Sequence, residues 1–315
     1  MNRRFLGLSP HEWALLVLTL GLFAFCSWRI DGFFDAWNLS DRSRHLVEIG
    51  LIAVPMTFII ATGGIDLSVG SILALSAIAM GTLWRDANLG LGMACLASVA
   101  VGTLAGAING VLGSYFLIAP LIATLATRAL YRGLALGVSQ ADPVSGFPYE
   151  FIEVSEASLG YVPYTFIALV LAVLLGHVVF RKSWIGRMTV AIGENERAAL
   201  FSAMPTKKVK LGLYTFSGLM CGLSAPIYVA RFATANPEHA GSLELDVIAA
   251  VVVGGTRITG GSGSVLGTGL GLLIVGIIRF ALDLTGYPQE GQTILMGLLV
   301  IVMAVLNEWS SKIRT

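Results

Sequence analysis

Thr62-Gly63-Gly64-Ile65-Asp66-Leu67-Ser68-Val69-Gly70-Ser71 interrupts a chain that is otherwise almost continuously apolar. Two adjacent glycines end one apolar run, and a carboxylate stands where the next helix begins. An ionisable side chain at such a place is costly inside a membrane and marks a functional candidate. Asp66 and Ser68 serve equally well as caps for the orphan N–H groups of the new helix. Irregular backbone at membrane depth is tolerated only where it faces protein or a cavity, as in the broken helices of transporters. This stretch separates a bundle of plain lipid-bathed helices from a membrane protein with an internal pathway.

The flanks are membrane-like. Of 315 residues, 56% are hydrophobic and 12% charged, with a mean hydropathy of +0.80. Soluble domains carry about 25% charged residues, so a soluble enzyme, a disordered tail and a secreted disulfide scaffold are excluded. The net charge of +1 gives no bulk attraction to nucleic acid. Apolar runs lie near 12–29, 46–62, 67–84, 91–113, 117–137, 162–180, 211–231, 244–256, 264–283 and 291–307. They predict about ten transmembrane helices, within a range of nine to eleven. The run at 244–256 is short, and Gly63-Gly64 leaves the second and third ambiguous. The first run follows Arg3 and Arg4 with no small-x-small cleavage site, so it reads as a retained helix.

Basic residues orient the bundle. Arg181, Lys182, Arg187, Arg197, Lys207, Lys208 and Lys210 crowd the segment 181–210, and both termini are basic through Arg3, Arg4, Lys312 and Arg314. The positive-inside rule makes all three cytoplasmic. Segment 138–161, with Asp142, Glu150, Glu153 and Glu156 and no Lys or Arg, then faces outward.

A second glycine-rich stretch runs from Gly254 to Thr268. Thr259, Gly260, Gly261, Gly267 and Thr268 repeat the frame of Thr62, Gly63, Gly64, Gly70 and Ser71. Chance and a weak internal repeat of transporter type both fit. No Gly-Lys-Ser/Thr is present, so there is no P-loop. Segment 193–205 reads as one short helix, opened after Gly193 and stopped by Pro205. Its apolar stripe of Ala199, Leu200, Ala203 and Met204 fits either packing on the membrane domain or docking of a soluble partner. Gly102-Gly106-Gly110 and Gly263-Gly267-Gly271 are small-xxx-small stripes for close helix packing. Arg132 is placed to snorkel to the outer interface, whereas Arg279 lies deeper in its run. Cys26, Cys95 and Cys221 read as packing residues, and the four histidines show no pairing spacing. Of the acids, Asp66 alone reads as deep.

The strings TGGIDLSVGS at 62–71, AINGVL at 107–112, APLIATLATRALYRGLA at 119–135, AIGENERAALFSAM at 191–204 and DVIAAVVVGGTRITGGSGSVLGT at 246–268 resemble the membrane subunit of ribose-type bacterial ABC importers. The likeness runs in order over about residues 45–305. It implies an all-α, type II importer permease similar to the vitamin B12 importer membrane domain, a single transmembrane domain over 1–315 with a coupling loop at 181–210. It further implies a bacterial inner-membrane location, cytoplasmic ABC ATPase subunits carrying ATP and Mg, a periplasmic substrate-binding protein, and a second permease subunit, identical or a sister. Substrates would be sugars or the sugar-derived signal autoinducer-2. Glu194, Asn195, Ala198, Ala199, Leu200, Phe201 and Met204 would form the ATPase-coupling helix. Gly63, Gly64, Asp66, Ser68, Asn109 and Thr124 would line or gate the pathway. No catalytic residue, cofactor or metal is expected on this chain.

Two positions depart from the family pattern. Ala203-Met204 replaces Gly-Ile, and alanine should suit a helix better. Arg279-Phe280 replaces Asn-Gly, with Asp283 one turn on as a candidate partner. Arg85 or Arg231 is expected to receive the binding protein. An ion-coupled secondary transporter would need a paired intramembrane acid or an acid–histidine relay. An intramembrane hydrolase could use only Ser217 in Thr215-Phe216-Ser217-Gly218, which lacks the first glycine of a nucleophile segment.

Overall fold

The computed structural model describes residues 9–238 and 242–312; Arg3, Arg4, His239 and Arg314 lie outside them. The helices are α1 (Pro10–Arg29), α2 (Ala36–Ala61), α3 (Val69–Arg85), α4 (Leu91–Ser114), α5 (Pro120–Ser139), α6 (Tyr149–Glu156), α7 (Tyr164–Lys182), α8 (Trp184–Glu194), α9 (Glu196–Phe201), α10 (Thr206–Phe232), α11 (Leu243–Val253), α12 (Val265–Leu284) and α13 (Gln289–Lys312). Among the described residues, four two-residue strands form two small antiparallel pairs: β1 (Val144–Ser145) with β4 (Thr234–Ala235), and β2 (Ser158–Leu159) with β3 (Val162–Pro163).

The expected ten spans are corrected. Among the described residues, seven helices are long and apolar enough to cross a membrane: α1, α2, α4, α5, α7, α10 and α12. Helix α3 has 17 residues and α11 has 11, and the apolar part of α13 covers Glu290–Met303. The cause is local. The 62–68 turn cuts α3 short at its start, and Gly254-Gly255 ends α11 after three turns. Helix α2 instead begins ten residues before its apolar run, because the Asp35 carboxylate accepts from the Trp37 and Asn38 amides at 3.0 Å and starts it there.

Local chemistry sets the other ends. Ser9 and Glu12 form a capping box at α1, with Pro10 in the first turn. Gly63, at φ +81°, closes α2. Ser264 Oγ accepts from the Gly267 amide at 3.0 Å and opens α12.

Close packing follows the small residues. Gly102 and Gly106 of α4 lie against Gly218 and Gly222 of α10, and a Cβ at any of these would collide with backbone across the interface. Gly267 and Gly271 of α12 pack in the same way on Gly254 and Ala250. The main core lies where α2, α3 and α10 meet, with Ile52, Met56, Ile59, Ile60, Ile72 and Leu73 fully buried. Leu171, Leu175 and Val178 of α7 remain exposed, as a lipid-facing helix requires. One end of the bundle gathers 62–68, 182–205 and 254–264; it is the basic end. The other gathers 140–163 and 233–238 and carries the acids of the 138–161 segment.

Candidate functional site

At the basic end the two glycine-rich turns touch. The Gly261 amide donates to the Ala61 carbonyl at 3.0 Å, and a Cβ at Gly63 would stand 3.5 Å from the Thr259 carbonyl. The frames agree at the first glycine, Gly63 and Gly260 both having positive φ, and differ at the second, where Gly261 has positive φ and Gly64 does not. Each follows a helix, turns through positive-φ glycines (Gly63 in one, Gly260 and Gly261 in the other) and starts a new helix a few residues on. Thr57 and Thr268, one from each half, share a hydrogen bond at 2.8 Å. Gly193 of α8 is wedged against both turns, where a Cβ would meet the Ala61 carbonyl and the Gly261 amide.

The single helix expected over 193–205 is corrected to two. Asn195 breaks it, with φ −161°, and its Oδ1 accepts from the Ala198 amide at 3.0 Å to cap α9. Glu194 ends α8. Ala199 is buried and Met204 half-buried, so neither offers an open face, whereas Leu200 is 56% and Phe201 88% exposed. Ala203 lies beyond α9 in the left-handed region, φ +58°. The helix-propensity argument for alanine there fails, because the position is outside a helix and favours glycine.

Asp66 is fully buried and acts as neither an open lining residue nor a plain N-cap. Its Oδ1 accepts from the Ser68 amide at 2.9 Å and from Ser68 Oγ at 2.6 Å. Asn109 Nδ2 donates to Ser68 Oγ at 2.7 Å. The Tyr131 hydroxyl donates to the Ala105 carbonyl at 2.9 Å and lies 3.3 Å from Asn109 Oδ1. Thr124 Oγ1 lies 3.1 Å from the Ile65 carbonyl and 2.9 Å from that of Pro120. Thus Asp66, Ser68, Asn109 and Thr124 form one buried network tying the 62–68 turn to α4 and α5. Gly64 is buried below the Tyr214 hydroxyl, and Gly63 alone of the six is exposed. Tyr131, which joins this network through Asn109, and Tyr214, whose hydroxyl lies beside Gly64, gave no sequence signal beyond being tyrosines in apolar runs.

Asp66 is not the only deep acid. Glu12, Glu48 and Glu244 are 0–1% exposed, and Asp246 is buried. Each has an arginine: Glu12 meets Arg181 at 2.8 Å, Glu48 meets Arg231 at 2.9 Å, Glu244 meets Arg128 at 2.5 Å, and Asp246 pairs with Arg279. Arg279 therefore does not take Asp283, which pairs with Arg42 at 2.6 Å. Arg231, bonded also to His45, is too enclosed to receive a binding protein; Arg85 is open and pairs with Asp86 at 2.7 Å. Arg128 and Arg132 stand one turn apart on α5, beside Ser71 and Leu125, around an open groove of about 580 Å³.

The sequence profile of the branched-chain amino acid transport system permease component matches residues 43–304. The chain is similar to the ribose import permease protein of Bacillus subtilis (strain 168), with 38% identity over 89% of this chain and 87% of the relative. It is 35% identical to the autoinducer 2 import system permease protein of Yersinia enterocolitica, over 93% of this chain and 89% of the relative. The corresponding protein of Escherichia coli (strain K12) is 33% identical over the same shares. No solved structure matches. The branched-chain permease profile, with seven spanning helices among the described residues, overturns the type II, vitamin-B12-importer architecture.

Proposed function

This chain belongs to the branched-chain amino acid transport permease family, and from that premise we propose how it works as a permease. It is the non-catalytic, multi-pass membrane subunit of an ABC importer and moves a sugar-like solute across the bacterial inner membrane. The family description speaks of amino acids, but the similar proteins import ribose and autoinducer 2, and these carry the solute class. The whole of 1–315 acts as one permease domain, with both termini and 181–210 on the cytoplasmic side. The basic end supports that orientation.

The observation that carries the coupling reading is Phe201. It stands 88% exposed on a six-residue helix, a few residues from the wedge at Gly193. An exposed aromatic among Arg197, Lys207 and Lys208 suits insertion into a groove on the partner ATPase. Leu200 is its companion, and Glu194, Asn195, Ala198 and Met204 frame the contact; Ala199 holds α9 down from beneath. Closure of the ATPase pair would press α9, and Gly193 would pass the displacement to both turns, shifting the balance between outward- and inward-open states. The Asp66–Ser68–Asn109–Thr124 network keeps one turn in register during that movement and contributes to the gate.

A second permease subunit, identical or a sister, completes the pathway across the α5 face. Arg128, paired with buried Glu244, and Arg132 border the open groove on α5, and charged groups at a groove suit a watery passage better than lipid. A substrate-binding protein delivers the solute at the opposite end. The test replaces Leu200 and Phe201 with Asp in the assembled importer. Co-purification of the ATPase and ATP-driven uptake should both be lost, with the permease still folded and inserted. Retained co-purification would sink the coupling assignment.

A further inference from the structure

Arg128 and Arg132 stand one helical turn apart on α5 and border the same open groove as Ser71 and Glu238. They tie α5 to a distant part of the chain. Arg128 meets Glu244, in the first turn of α11, at 2.5 Å. Arg132 donates to the Pro237 carbonyl, just ahead of α11. Both ties lie towards the end of the bundle opposite the basic one.

Glu244 sets the demand. It is 1% exposed, and one oxygen takes Arg128 while Oε2 has no hydrogen-bond partner. Glu12, equally buried, differs: Arg181 reaches both of its oxygens, and Ser9 and Ser264 complete them. A buried carboxylate needs its counter-ion in every state the protein visits, because losing it leaves an unpaired charge away from water. The charges of both arginines act on Glu244. Its open oxygen is an acceptor for a second guanidinium N–H. Glu238, on the same groove wall, is exposed, so water serves it and it places no such demand.

The inner end of α5 has a tie of its own. Thr124 Oγ1, one turn before Arg128, lies 3.1 Å from the Ile65 carbonyl in the 62–68 turn. Gly193 is wedged against that turn. A displacement of the turn therefore acts on α5, and α5 carries it to the two arginines.

Two cations spaced by one turn, facing one acid that must stay paired, make a contact with two positions. Packed helices that ratchet by a turn use the same arrangement. We propose that Arg128 and Arg132 exchange on Glu244 during transport. Arg128 holds the acid in the state seen here. Arg132 takes it when α5 moves towards the basic end by up to one turn, about 5.4 Å. The three are positioning residues that give α5 two registers against α11 and the groove two widths. The inference rests on the coupling of α9 to the ATPase and names what that coupling moves.

The test uses the assembled importer with Cys26, Cys95 and Cys221 replaced by alanine. One variant carries Arg128→Cys with Glu244→Cys, the other Arg132→Cys with Glu244→Cys. A short bifunctional thiol reagent is applied, and each rate is divided by that of its monofunctional analogue. Without nucleotide the first pair should cross-link several-fold faster than the second. The order should reverse once ATP and vanadate trap the closed ATPase. A second arm keeps the charges and reads ATP-driven uptake. Arg132→Gln should lower uptake about tenfold or more while the ATPase still co-purifies, and Arg132→Lys should recover part of it. Loss of the first cross-link without gain of the second would overturn the exchange, and so would full uptake in Arg132→Gln. The uptake arm decides alone if the cysteine pairs do not assemble. Cross-linking that ignores nucleotide in an importer whose uptake needs ATP discards the exchange and leaves the coupling. Uptake that needs no ATP discards the coupling and the exchange with it.

Discussion

At the scale of single residues, conformation decides more than type. Ala203 matches a helix-former in composition, yet it occupies the left-handed region at φ +58°. That region costs an L-residue about 1–2 kcal/mol, a cost glycine escapes. Ala203→Gly should raise stability by about 1 kcal/mol, read as a higher Tm in detergent; an unchanged or lower Tm contradicts the account. Glu12 makes the complementary case. It is wholly buried, accepts from Arg181 at 2.8 Å and from Ser264 Oγ at 2.6 Å, and so pins α1 to α7 and α12. Glu12→Ala should destabilise by about 3 kcal/mol, the lower end for a broken buried pair because Arg181 keeps partial exposure. The check is the unfolding midpoint set against that of Glu12→Gln, which keeps the side chain's size but can accept at only one of the two oxygen positions.

At the scale of elements, glycine spacing was the most readable feature and helix length the least. The stripes Gly102-Gly106-Gly110 and Gly263-Gly267-Gly271 announce close helix contacts, and the structure puts all of them at helix interfaces except Gly263, which lies in the turn before α12. Gly106→Leu would drive a side chain into the α10 backbone, at about 1–3 kcal/mol or more for overpacking. It should lower expression and Tm, while Gly21→Leu on α1, with open space around it, should be silent. Hydropathy could not separate a spanning helix from a half-length one. Leu243–Val253 is as apolar as any span, but only the turn at 254–264 tells where it stops. Asn195 likewise splits α8 from α9 through a hydrogen bond to the Ala198 amide that no stripe of apolar residues reveals.

At the scale of the whole molecule, the ionic pattern escaped sequence reading because its partners are far apart in the chain. Glu48 and Arg231 are separated by 183 positions, and Asp246 meets Arg279 only when α11 and α12 fold together. Asp66 was legible because glycines flank it; Glu48, inside a clean helix, was not. The membrane class, the two glycine turns and the basic segment were legible because they depend on composition and local spacing. The second subunit proposed across the α5 face has a direct consequence. Ala129→Cys, beside the Arg128–Arg132 groove, should form an oxidant-induced cross-link between two permease chains when the chain pairs with itself. A strictly monomeric product, with an equivalent cysteine on lipid-facing α7 equally inert, is the outcome for pairing with a sister chain.

Where Gly193 meets Ala61 and Gly261, the nearest atoms are backbone. Side chains are the springs of a protein interior: they rotate, slide and take up small misfits. At these closest contacts none intervenes. A nudge delivered at this one spot cannot be absorbed or delayed, and it must reach both halves of the bundle together and at nearly full amplitude. The molecule thus behaves here less like a hinge than like a keystone, whose smallest shift moves both sides of the arch at once.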